Sequence, residues 1–281
     1  MNRYLVQRIG FALLSLAALV VVVPILLVVG TVVVQGIETI SWEFLTQMPR
    51  NGMKAGGVFP PLVGTLLLTL GTALAAIPVG VGGAIYLAEY ARDTWVTRAI
   101  RLAIVNLAGI PSVVYGLFGL GLFVLFLQFG TSILAGSLTL AIMTLPIIIS
   151  TAEEALRVVP TEFRTVNASL GGTRWQSIRY IVLPQALPGI ITGVILGLLR
   201  AAGETAPILF TVAAFFLPRL PQSPFDQTMA LPYHLYVIST QVPEMPLGIQ
   251  YGTALVLLAL VLSMNIVATI IRGYYRRRRQ W

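Results

Sequence analysis

The sequence predicts an all-α membrane protein with six transmembrane helices. Three observations carry this. Of 281 residues, 57% are hydrophobic and only 10% charged, against about 25% charged in an ordinary soluble domain. Uncharged runs extend from Ile9 to Ile37, Ala55 to Ala88, Leu102 to Ala152 and Met245 to Ile271, and a helix needs about 20 residues to cross the hydrocarbon. The basic residues, finally, fall almost entirely on one side of the resulting count.

Taken in order, the first helix is expected over 9–35. Its lead-in, "MNRYLVQRIGFALL", has the basic start of a signal peptide. The apolar run is too long for one, however, and no Ala-x-Ala-like site closes it, so an uncleaved membrane helix is the expectation. A second helix is expected over 61–88. The stretch from Leu102 to Ala152 exceeds one helix, and "QFGTS" at Gln128 to Ser132 supplies a turn. That divides it into helices over 103–127 and 132–152. The last two are expected over 186–215 and 247–271.

Six helices place both termini on one face. With that face cytoplasmic, the inner segments hold Arg3, Arg8, Arg92, Arg98, Arg101, Arg157, Arg164, Arg174, Arg179, Arg272 and Arg276 to Arg279, which is 14 of the 18 basic residues. A five- or seven-helix count scatters these charges across both faces, against the positive-inside rule. The net charge of +8 therefore has a topological origin. The same argument assigns "RRRR" at Arg276 to Arg279 to the cytoplasmic lipid surface rather than to nucleic acid.

Between the helices lie two longer outer segments, 36–60 and 216–246. The second is rich in proline and is expected to pack as a partly ordered cap. Its His234, the only histidine, is assigned a solvated loop position and no role. With no cysteine, disulfides and thiolate metal sites are excluded. The only lysine, Lys54, lies in "NGMKAGG", which is not a phosphate-binding Gly-x-x-x-x-Gly-Lys-Ser/Thr loop. No catalytic constellation, metal set or cofactor motif is present, so the chain is not expected to be an enzyme.

The cytoplasmic segment 153–184 is more than a connector. Pro160 and Thr161 give a break and an N-cap, Phe163, Val166 and Leu170 follow at steps of three and four, and Gly171-Gly172 stops the helix. Trp175, Ile178 and Ile181 keep the spacing up to Pro184. A short amphipathic helix results, and an interfacial helix on lipid is one reading of it. The pattern of Gly171, nine residues, then Ile181-x-Leu183-Pro184 resembles the cytoplasmic "EAA" loop of bacterial ABC importer permeases. The three positions that hold Glu-Ala-Ala in that family are Thr165, Val166 and Asn167 here. The resemblance implies that the short helix docks on an ATP-hydrolysing subunit, with Phe163, Arg164, Val166, Leu170 and Gly171 as contact candidates.

The helix beginning near Pro184 carries Gly189, Gly193, Gly197 and Ala201 at intervals of four. This is a stripe of small residues that lets another helix backbone approach closely. Arg200 lies about 60° and Glu204 about 20° from Gly197 around an ideal helix, so both charges flank the stripe and neither needs to face lipid. Arg200 sits roughly 24 Å of helix beyond Pro184, near or past the bilayer midplane. A charge there costs about 2.5–3.5 kcal/mol on insertion scales, and Glu204, one turn on, is the nearest compensator. Two readings stand: a neutralising pair that holds the bundle together, or an arginine fork offered to a transported anion with Glu204 limiting how tightly it is held. Pro207 is positioned to interrupt the helix there.

Four blocks extend the resemblance: "GIPSVVYGLFGL", "LTLAIMTLPIIISTAEEALRVVP", "RAAGETAPILF" and "MALPYHLYV", in that order between Gly109 and Val237. They look like phosphate ABC transporter permeases of the PstA type. The resemblance implies one permease domain over 1–281, with an extra N-terminal helix 9–35, a MetI-like ABC importer permease core over about 61–272 and a coupling loop over 153–184. It implies a bacterial inner-membrane importer built from this chain, a second permease of the PstC type, a PstB-type ATP-binding dimer and an external PstS-type phosphate-binding protein. Arg200 and Glu204 are then the substrate-pathway candidates. A permease for sulfate, molybdate or phosphonate, and a non-transporting scaffold or sensor subunit, are the alternatives.

Overall fold

Long apolar runs bounded by arginines and prolines become helices that pack through their small residues, and the computed structural model describes residues 3–277 of the result. Arg278 and Arg279 of the terminal arginine run lie outside the described residues. The chain forms α1 (Arg3–Gly36) and a short α2 (Trp42–Thr46), the latter capped by the Ser41 hydroxyl, which accepts from Phe44 N at 3.1 Å. A two-stranded antiparallel hairpin, β1 (Pro49–Arg50) and β2 (Ala55–Gly56), precedes α3 (Phe59–Ile85), which ends in a π-helical turn over Tyr86–Tyr90. Then come α4 (Trp95–Ala108), α5 (Ser112–Gly119) extended by a π segment to Phe126, and α6 (Ile133–Val158). The segment between the fourth and fifth expected helices forms α7 (Thr161–Ser169) and α8 (Arg174–Ser177). Last are α9 (Leu183–Gly203), α10 (Ala206–Thr211), α11 (Leu231–Thr240) and α12 (Leu247–Arg277).

Among the described residues, five helical segments are continuous and apolar enough to cross a membrane, and the pair formed by α4 and the α5 segment, bent by 104°, makes six when counted as one broken span. The sequence predicts one helix over 103–127; the structure breaks it at Gly109-Ile110-Pro111. Pro111 has no N–H to continue α4 and disfavours helix at the residue before it. Parity still gives six. Gly71 of α3 lies against Ser137 of α6 and Gly80 against Ile148, so α3 and α6 run parallel, and the bent pair between them must return the chain across the bundle.

Helices α3, α6 and α9 form the centre. The glycine stripe of α9 meets α6 in antiparallel register. A Cβ on Gly189 would strike Ala155, one on Gly193 would lie 2.8 Å from Thr151 Cβ, and one on Gly197 would lie 2.9 Å from Ile148 Cγ1. Ala201 continues the stripe into a buried cluster with Leu68, Leu140 and Met143. In contrast, α1 is exposed along its apolar window and approaches the rest of the chain where Gly36 backs onto the Tyr251–Gly252 backbone of α12.

The segment 216–246 is more ordered than a loop. Within it, α11 packs with Met53 of the hairpin, Met229 and Met245 in one cluster. His234 therefore differs from its sequence assignment: it is on a helix, 2% exposed. The prolines that suggest a loop include Pro232, which sits at the start of α11, where a missing N–H costs nothing.

Candidate functional site

The helix expected over 186–215 stops at Gly203. Pro207, four residues on, cannot donate to the Gly203 carbonyl and its ring would clash there. Glu204 leaves the helix with an extended backbone (φ −75°, ψ 136°), and α10 starts anew with Pro207 in its first turn. Two charged side chains sit at this break. Arg200 Nε donates to Glu204 Oε1 at 3.3 Å, with the side chains 33% and 18% exposed. Among the described residues, neither terminal nitrogen of Arg200 donates to another protein group, so its two-pronged edge is free for a planar or tetrahedral oxyanion. Beside Glu204 is a cavity of about 10 Å³, walled by Thr65, Leu68 and Thr69 of α3, Ala201 and Ala202 of α9, and Pro232 of α11, about the size of one probe sphere.

The loop carrying α7 and α8 divides the five residues assigned to docking. Gly171 takes φ +78° and turns the chain out of α7, as a glycine after a helix does. Val166 and Leu170 are exposed, at 59% and 83%. Phe163 and Arg164 instead face the membrane domain. Phe163 packs against the inner core cluster of Ala152, Leu156 and Val182. Arg164 grips Glu89 bidentately, Nη2 to Oε1 at 2.6 Å and Nε to Oε2 at 3.2 Å. The spacing of 163, 166 and 170 implies one docking face, but α7 is held at its N-terminal turn, so early residues turn inward and later ones project.

Sequence reasoning missed what Arg164 holds. Glu89 is 6% exposed in the π turn after α3, the first charge after the uncharged run Ala55–Ala88. Nearby, Glu153 receives Arg101 Nε at 2.9 Å and Arg157 Nη2 at 2.8 Å. Arg101 also donates to the Leu87 carbonyl at 2.9 Å. Arg174 donates to the Glu89 carbonyl and lies over the Tyr90 ring, 5.1 Å from its centroid. Four arginines identified from sequence as topological signals thus also fasten this end of the bundle. Among the described residues, no three His, Asp or Glu side chains gather as a metal set.

A polytopic bundle, a helix interrupted at mid-chain and a short helix presented on the loop between α6 and α9 fit the permease subunit of an ABC importer. Residues 76–281 match the family described as binding-protein-dependent transport system inner membrane component, and the chain belongs to that family. It is 32% identical to the probable ABC transporter permease protein YqgI of Bacillus subtilis (strain 168), over 95% of both chains. It is 37% identical to the phosphate transport system permease protein PstA 1 of Mycobacterium tuberculosis (strain ATCC 25618 / H37Rv), over 80% of this chain and 73% of that one. To PstA of Mycobacterium leprae (strain TN) it is 36% identical, over 92% and 86%. An inward-facing structure of the MetNI methionine ABC transporter shares the fold with a TM-score of 0.62, at 16% identity, covering 76% of this chain and 94% of that one. The chain is thus a multi-pass inner-membrane importer permease, a subunit that operates with an ATP-binding subunit and a substrate-binding protein.

Proposed function

We propose that the chain is the PstA-type permease of a phosphate importer. In this reading it pairs with a PstC-type permease, a PstB-type ATP-binding dimer and a PstS-type binding protein, with both termini cytoplasmic as the arginine distribution requires. The observation that carries the reading is the unfilled guanidinium edge of Arg200 at a helix break in the membrane, held from one side by Glu204. The phosphate names of the relatives from Mycobacterium point to the same anion.

Glu204 favours phosphate over sulfate on chemical grounds. A carboxylate repels a fully ionised oxyanion, but hydrogen phosphate carries a P–OH that donates to it, leaving the other oxygens for Arg200. On the cytoplasmic face, Val166, Leu170 and Gly171 are the part of α7 free to meet an ATP-binding subunit, while Phe163 and Arg164 transmit its movement inward.

Radiolabelled phosphate uptake into cells holding all four subunits tests this. Arg200→Gln is expected to abolish uptake while the complex still assembles. Unchanged uptake removes Arg200 from the pathway, and accumulation of sulfate in place of phosphate assigns the chain to another oxyanion. If the assembled wild-type complex moves no oxyanion, the scaffold or sensor reading stands.

A further inference from the structure

The chain's cytoplasmic end contains a clamp that neither the coupling loop nor the anion pathway explains by itself. The loop carrying α7 and α8 is covalently joined to α6 on one side and to α9 on the other. Helix α3 is joined to it only through space: by apolar packing, where Ala84 shares a buried cluster with Val182 and Phe163 packs against it, and by polar contacts at one turn, Tyr86–Tyr90. Arg164 of α7 takes both oxygens of the Glu89 carboxylate. Arg174 of α8 takes the Glu89 carbonyl and covers Tyr90. Arg164 also donates to Leu156 O at 3.0 Å, Val159 O at 2.7 Å and Pro160 O at 3.3 Å, which fastens the same guanidinium to the end of α6.

At its other end, α3 carries Thr65 and Thr69, which wall the cavity beside Glu204. From Thr69 to Glu89 is about 30 Å of helix. A continuous helix pinned at one end to the coupling loop and walling the cavity beside Glu204 at the other is a lever between them.

Resting on the reading of the chain as an importer permease, we infer that Glu89 is the positioning residue that makes α3 follow the coupling loop. Its carboxylate contacts no substrate; it turns a displacement of α7 into a displacement of α3 relative to Glu204. Without the carboxylate, α7 pulls on α6 and α9 through the chain, and α3 follows only through its packing on α6 and no longer at the turn that α7 grips.

The test uses the complete transporter in proteoliposomes, measuring phosphate moved per ATP hydrolysed. Glu89→Gln keeps the side chain's shape and removes its charge. The expected result is ATPase activity within about threefold of wild type and transport per ATP reduced at least tenfold. Glu89→Asp, measured alongside because loss of one partner from a buried pair can prevent folding, is expected to fall between.

A second readout is independent of the transported ion. The chain has no native cysteine, so Tyr86→Cys and Thr161→Cys, both at exposed positions, accept spin labels without background. With Glu89 present, the label separation is expected to be narrow and the same with and without nucleotide. With Glu89→Gln or Glu89→Asp, it broadens or shifts between those states. Unchanged transport per ATP, or a separation that stays narrow in both variants, overturns the assignment. Absence of phosphate transport by the wild type refutes the functional reading and leaves the distance measurement to decide on the clamp.

Discussion

Arg164 and Arg200 are both arginines held by a glutamate, and they differ in how many of their donors are spent inside the chain. Arg164 makes five hydrogen bonds, two to Glu89 and three to carbonyls at the end of α6. A guanidinium has five N–H donors, so nothing is left for a ligand. Arg200 makes one, to Glu204. Burial and charge alone do not separate a structural arginine from one available to bind; the count of unspent donors does.

The largest effect that tests this contrast belongs to Arg164→Gln. The substitution leaves a carboxylate buried to 6% exposure without its cation and three carbonyls without their donor. Breaking one side of such a pair costs about 3–5 kcal/mol. Denaturant or thermal unfolding of the purified protein in detergent measures it. A loss below about 1 kcal/mol would show that the five bonds are not holding the loop, and the contrast with Arg200 would collapse.

His234 extends the comparison to a buried group with an unfilled position of a different kind. Its Nδ1 has no hydrogen-bond partner, and burial on α11 lowers its pKa to about 4. Because the folded protein takes up this proton later than the unfolded chain, stability is expected to fall as pH drops from about 6.5 toward about 4. Between pH 7 and pH 5 the loss amounts to about 2 kcal/mol. Unfolding measured across that range should show the slope, and His234→Gln should remove this component; an equal slope in the variant would assign it to other groups.

How far the sequence discloses such differences depends on the range of the interaction. The glycine stripe at 189, 193 and 197 is legible because helical periodicity alone puts those positions on one face, and the structure packs that face on α6. The pairing of Arg200 with Glu204 is expected from a spacing of one helical turn, and it forms although Glu204 lies one residue past the end of α9, because four residues of separation still leave the two side chains within reach. The break at Gly109-Ile110-Pro111 had its signal in Pro111, outweighed by the unbroken hydrophobicity on either side. The grip of Arg164 on Glu89 spans 75 residues, and no local pattern announces it. Consequently the loop helix was legible as a helix, whereas which of its residues face inward was not. His234 was misplaced because prolines that begin helices read, in sequence, like prolines that fill loops.

The smallest stability effect belongs to Arg200→Gln, and it makes the sharpest use of the contrast. Its single hydrogen bond joins partly exposed side chains, and pairs of that kind contribute about 0–1 kcal/mol. The glycine stripe and the buried cluster around Ala201 hold α9 whether or not the arginine is present. The variant is therefore expected to unfold within about 1 kcal/mol of wild type, in the same assay in which Arg164→Gln loses several times as much. Pairing this measurement with uptake gives it force. An arginine whose removal leaves the fold intact but stops transport is acting on something outside the chain. A loss of 3 kcal/mol or more would mean that Arg200 holds the break together, and its free edge would then be a by-product of geometry rather than a binding surface.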